Sequence, residues 1–235
     1  MPSDPTILAF DTSAAHCAAA LLCGGRIVAQ RYEEMAKGQG ERLMGLLEQV
    51  LTDHGAIWGE LDAIAVGTGP GNFTGIRIAV SAARGLSLGL GVPALGVSGF
   101  EIIHAAHGRN GEARHLITLP CRDGYYLQEL CDGRHDGAPY ITVSADPSRP
   151  APLLNDPATT MVLGENAGDI AYLVEKAQNR PVAYRDALLP KADVAAWIAR
   201  VAAQRLGGSE PRPAPVYVRA PDAAPPRDAP PLILP

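Results

Sequence analysis

Short apolar runs separated by polar breaks fill the first part of the chain. Ile7–Phe10 and Cys17–Cys23 have strand length, and Gly24-Gly25 is a two-residue hairpin signal leading into Arg26–Tyr32. Over Glu41–Asp53 the period lengthens to that of a helix, with Leu43, Leu47, Val50 and Leu51 on one face and Gly55 as its stop. Strand Leu61–Val66, a glycine-rich turn, helix Ile76–Leu90, strand Ala94–Val97 and a helix from Gly99 to Ala106 complete the order βββαβαβα. The second half echoes that order in shorter form. Strands are predicted over Leu116–Leu119, Tyr125–Leu130 and Tyr140–Val143, followed by a proline-rich loop, Asp146–Ala158. Strand Met161–Leu163, helix Asn166–Gln178, strand Val182–Tyr184 and helix Ala192–Leu206 close the unit.

Two such units in tandem predict an α/β protein with the two-lobed plan of the actin-like ATPase (ASKHA) fold, its second lobe degraded. No sequence repeat is visible, so the echo rests on element order. The expected lobes are 1–108, joined by the C-terminal helix over 192–206 or by the tail, and a smaller 109–190. Residues 222–235 read as an extended Pro-rich tail.

The turn Gly67–Gly75 admits two readings. Its glycines free the backbone for positive φ and close approach, Pro70 fixes the turn, and Thr74 is placed to cap the next helix. Gly69, Gly71, Thr74 and Gly75 then either cradle a phosphate at a helix N-terminus or form a corner that lets a helix pack hard against a sheet. A Walker loop requires Lys and Ser or Thr where Ile76-Arg77 stands, and a dinucleotide fingerprint fits only with a mismatch at Asn72. Asp11, Thr12 and Ser13 supply the acid and hydroxyls of a phosphate hairpin, but Ala14-Ala15 replace the glycine such a hairpin needs. The alternative role for Asp11 is to cap local N–H groups. Arg122-Asp123-Gly124 is the candidate for a second acidic loop, and a poor one. No catalytic residue is assigned.

Helix Ile76–Leu90 is apolar or small nearly all round, where a surface helix shows a polar face. Its charges, Arg77 and Arg84, are seven apart and share a side, while Ala79, Ala82, Ala83 and Gly85 permit close helix approach. Met44 and Leu46 widen the stripe of the earlier helix in the same way. The expected partner surface is Leu43, Met44, Leu46, Leu47, Val50, Arg77, Val80, Ala83, Arg84 and Ser87. Glutamate at Ala79 or Ala83 is expected to break a complex and spare the fold. A helix sandwiched in its own core is the competing account.

Composition narrows the classes. In 235 residues, 47% are apolar and 19% charged, enough for a substantial core. A net charge of −5, with lysine only at Lys37, Lys176 and Lys191, gives no basic stripe, so contact with a nucleic acid is expected only through a partner. No apolar window has membrane-spanning length and the N-terminus lacks signal-peptide character, so a cytoplasmic location without membrane contact is expected. Four cysteines form no CxxC pair and read as buried thiols. His104 and His107 lie three apart with His115 beyond, but no further ligand stands in a recognisable frame, and no metal is assigned.

The segments Ile7–Ser13, Glu41–Leu43, Asp62–Gly67 and, above all, Gly69–Ile78 resemble the TsaB (YeaZ) family. Pro93 with Gly96–Ser98, and Pro215–Arg219 near the end, continue the likeness. Leu119–Gly124 departs from it, standing where an Asp-Ala-Arg-like segment is usual. The resemblance implies a non-catalytic subunit of the bacterial machine that makes threonylcarbamoyladenosine in tRNA. It would bundle its two helices with those of the catalytic paralogue TsaD, help recruit the ATPase TsaE, and self-associate through the same patch when alone. TsaC would supply threonylcarbamoyl-adenylate. ATP or ADP and Mg²⁺ are implied only in the complex. A stand-alone small-molecule kinase or ATPase of the same fold is the alternative. A metallopeptidase is disfavoured by the missing HxxxH pair.

Overall fold

The computed structural model describes residues 4–108, 114–121, 124–131, 134–142 and 161–218. The loop over 146–158, Asp123 and the tail over 222–235 lie outside the described residues. Strands β1 (Thr6–Asp11), β2 (His16–Cys23), β3 (Arg26–Glu34), β4 (Ala63–Gly67) and β5 (Ala94–Val97) form a sheet in the order β3-β2-β1-β4-β5. The second sheet comprises β6 (Arg114–Cys121), β7 (Gly124–Cys131), β8 (Arg134–Thr142), β9 (Met161–Gly164) and β10 (Ala183–Asp186), ordered β10-β9-β6-β7-β8. Read from the opposite edge, the two orders are the same. The predicted tandem plan therefore holds at the level of hydrogen-bonded topology.

Among the described residues these sheets are covered by α1 (Gln39–His54), α2 (Phe73–Leu90), α3 (Gly99–His107), α4 (Ala167–Gln178) and α5 (Val194–Arg205). Alternation along β1 sends Leu8 and Phe10 toward α1 and α2, and Ile7 and Ala9 toward α5. The unbroken apolar run Ile7–Phe10 needs cover on both faces. Ile198, Ala199 and Ala202 of α5 supply the second layer, so the end of the chain completes the first sheet. Helix α3 lies between the sheets: Ile102 faces the first core, while Phe100 and Ile103 pack with Ile117, Leu130 and Leu163 of the second.

Candidate functional site

Asp11 ends β1 and is almost wholly buried. Its Oδ2 accepts from the Ser13 backbone N–H at 3.0 Å and from Ser13 Oγ at 2.9 Å, and His16 Nε2 lies 2.7 Å away. Its Oδ1 presses on Gly67, where an added Cβ would sit 1.9 Å from it. The carboxylate is thus spent inside the protomer, in the local capping role. At the corresponding register of the second sheet, opposite the terminal Gly164 of β9, stands the neutral, buried Thr118.

The glycine turn is a corner. A Cβ on Gly71 would lie 2.2 Å from the Ser13 carbonyl oxygen, and one on Gly75 1.9 Å from that of Thr12. Gly69 has φ +91° and hydrogen-bonds through its carbonyl to the Gly99 N–H at 2.8 Å. Thr12 Oγ1 donates to the Gly75 carbonyl at 2.7 Å, and the Asn72 N–H to the Ser13 carbonyl at 2.6 Å. On that side the backbone of the β1–β2 turn packs directly against the glycines. The cap of α2 is Asn72, not Thr74: Asn72 Oδ1 accepts from the Thr74 and Gly75 N–H groups. Asn72 immediately before an apolar helix was the available sequence signal for this cap. Leu119 lies over the same corner, 3.0 Å from where a Gly99 Cβ would be.

The expected apolar surface needs correction. Leu43, Leu46, Leu47 and Val50 of α1, with Val80 and Ala83 of α2, are buried in the protomer's own core. Leu43, Leu46, Leu47, Val50 and Ala83 fill the layer between the two helices and the first sheet, alongside Leu8, Phe10 and Val66. Glutamate at Ala79 or Ala83 would place a charge in that core and test folding, not docking. The apolar and small residues that α1 and α2 leave outside include Met44, Ser81, Gly85, Leu88 and Gly89. Leu88 is 87% exposed. Ser87 is half-buried and donates its hydroxyl to the Val92 carbonyl.

Arg77 and Arg84 are held by a segment that the sequence reading left unconnected to them. Arg77 Nε donates to Tyr217 Oη at 2.8 Å, and its guanidinium lies 3.7 Å from the centre of the Phe73 ring. Arg84 Nε donates to the Pro213 carbonyl at 2.8 Å. The Val216 N–H bonds the Thr68 carbonyl, so Pro213–Tyr217 runs as a strap beside α2. Arg205 anchors the chain leading into this strap, bonding the Gly96 carbonyl, Glu101 and Glu210.

A groove of about 680 Å³ separates the starts of α1 and α2, lined by Lys37, Gln39, Glu41, Asn72, Thr74 and Ile78 among others. Lys37 and the Thr74 hydroxyl are the groups there suited to an anion, with Glu41 opposing them. His104 and His115 stack with ring centres 5.0 Å apart, and no cluster of three metal-ligating side chains occurs among the described residues. Nor is any helix among them long and apolar enough to cross a membrane.

Burial, followed by the nearby Glu33 carboxylate, pushes the Cys17 thiol up to about 11 from its ordinary 9.0. Stability from this group is present below pH 9.0 and lost as pH rises through about 11. Alkaline melts should show that loss, and Cys17→Ala should flatten it. Iodoacetamide at neutral pH should label half-buried Cys23 before Cys17.

The profile described as TsaD, tRNA N6-adenosine threonylcarbamoyltransferase, matches residues 31–124. The tRNA threonylcarbamoyladenosine biosynthesis protein TsaB of Escherichia coli K12 is 35% identical over 119 residues, 50% of this chain and 51% of that protein. The alignment therefore spans about half the length of that curated relative. The solved structure of YeaZ from Pseudomonas aeruginosa superposes with TM-score 0.62 at 34% identity, covering 91% of this chain and 99% of that one. ROK hexokinase from Thermus thermophilus, at 14% identity and TM-score 0.58, shares the fold. Likeness across almost the whole of a YeaZ structure, together with the curated TsaB match, shows that this chain belongs to the TsaB (YeaZ) family.

Proposed function

We propose that this chain is a docking subunit in the synthesis of tRNA threonylcarbamoyladenosine, binding the catalytic protein TsaD through the outer ridge of α1 and α2 and helping TsaE and nucleotide engage there. It acts as a pseudo-enzyme. The observation that carries this is the fate of Asp11: its hairpin, the glycine corner and Leu119 consume one another, while Met44, Ser81, Gly85 and Leu88 stay uncovered. The names of the relatives supply the pathway, and the match to TsaD over 31–124 fits two paralogues that pair through equivalent helices.

Gly85→Trp tests the ridge. No atom lies within 4 Å of a Cβ at the exposed Gly85, so the side chain can leave toward solvent, and replacing a helical glycine by Trp gains roughly half a kcal/mol. The expected outcome is an unchanged or raised melting temperature with loss of co-purification with TsaD. Recovery of TsaD at wild-type yield would overturn the ridge. Repeating the pull-down with TsaE, with and without ATP, tests the wider complex. The kinase alternative draws on the shared hexokinase fold and the groove at Lys37. Micromolar Mg-ATP binding with turnover by the isolated chain would favour it.

A further inference from the structure

We infer that α2 and the C-terminal strap form a two-pronged surface for carboxylates, in which Tyr217 and Pro213 hold Arg77 and Arg84 ready for acidic side chains about two turns apart on a partner helix. This rests on the docking role above and adds the partner's chemistry.

Two other arginines of the first lobe are matched to acids, Arg31 to Asp53 and Arg42 to Glu33, while Arg26 at the start of β3 is exposed. Arg77 and Arg84 are exposed and make no ion pair among the described residues. Each uses Nε on the strap, a neutral hydroxyl in one case and a backbone carbonyl in the other. That leaves the paired Nη groups, the fork that grips a carboxylate with two parallel bonds. Arg77 is further fixed by Phe73 and Tyr217, whose ring centres are 5.1 Å apart. A fork already held in place loses little freedom on binding.

Seven residues separate the two, which on a helix is about 10 Å along one side. Ser81, Gly85 and Leu88 stand outward beside them, offering a close approach and an apolar anchor. A protein helix fits this face better than RNA. The neighbouring α1 exposes Glu41 and Glu48, which repel phosphates, and the chain carries −5 overall.

Calorimetric titration of the full chain with TsaD from the same organism, at low and high sodium chloride, reads this directly. Arg77→Ala/Arg84→Ala is expected to weaken binding by about 30-fold or more and to remove most of the salt dependence. Tyr217→Phe keeps the ring on Phe73 but frees Arg77, and should lose about threefold. Should the alanine pair lower the melting temperature, Arg77→Lys/Arg84→Lys decides: salt dependence kept, with affinity reduced by the lost fork geometry. Wild-type affinity and salt response in the double alanine variant would overturn the inference alone. Absence of binding by the unmodified chain overturns the docking role and this inference with it. An anticodon stem-loop RNA bound by the wild type and lost in the double variant would also overturn it, assigning the forks to phosphate.

Discussion

Gly75→Ala should strip the chain of a large part of its stability, while Gly85→Ala on the same helix should leave it intact or firmer. At Gly75 the added methyl would meet the Thr12 carbonyl oxygen at 1.9 Å and its carbon at 3.0 Å. Both are backbone atoms of a turn that cannot retreat. The Asn72 N–H holds the Ser13 carbonyl, the Thr12 hydroxyl holds Gly75 itself, and Asp11 holds Ser13. Relieving the overlap means separating α2 from the β1–β2 turn. Such overpacking typically costs about 1–3 kcal/mol, and two backbone contacts this short put Gly75 at the upper end, about 3 kcal/mol. For a domain of this size that corresponds to a melting temperature lower by roughly 6 to 12 °C. Gly85 is helical too, but nothing lies within 4 Å of its Cβ position, so alanine there removes only the helix penalty of glycine. Paired thermal melts by circular dichroism check both. Equal melting temperatures would remove the close-packed corner as a structural element.

Asp11→Ala carries the second large effect, expressed in stability. Substitution takes the acceptor from three donors at once: the Ser13 N–H, the Ser13 hydroxyl and His16 Nε2. His16 is buried against Tyr32, with ring centres 5.3 Å apart, so water cannot freely replace the lost partner. Leaving a buried donor without its acceptor costs about 1 to 3 kcal/mol, and three donors lose theirs here. The expected melt falls by roughly 10 °C. Because part of the cost is an orphaned His16, Asp11→Ala/His16→Ala should be less destabilised than the two single changes added together, a coupling that denaturant titration measures. A carboxylate reserved for Mg²⁺ and phosphate would behave the opposite way, with stability unchanged or raised on removal and nucleotide binding lost.

These two positions show how far the sequence could be read. Gly67–Gly75 announced a strand, a tight turn and a helix, and the structure has them in that order. Phosphate cradle or corner was undecided, because glycine permits close approach by either an anion or a backbone. Thr12 and Ser13, sixty residues upstream in sequence, turn out to be what approaches. Misreading the apolar faces of α1 and α2 has a similar cause. An excess of apolar residues records burial without recording what does the burying, and the first sheet turned out to cover Leu43, Leu46, Leu47, Val50 and Ala83. The strap was invisible for a further reason: Pro213 and Tyr217 reach Arg84 and Arg77 across well over a hundred residues, and nothing in local pattern encodes such a contact.

By itself the sequence determined the local grammar: which segments are strands and helices, their repeated βββαβαβα order, and the segments that carry the TsaB resemblance. Periodicity, turn chemistry and capping are nearest-neighbour effects, written within a few residues. Tertiary structure alone decided that Asp11 is spent on His16 and Ser13, that the glycines admit backbone, and that two arginines are held by the chain's far end. Those outcomes depend on which distant atoms share a volume, and close packing settles that only when the whole chain is in place.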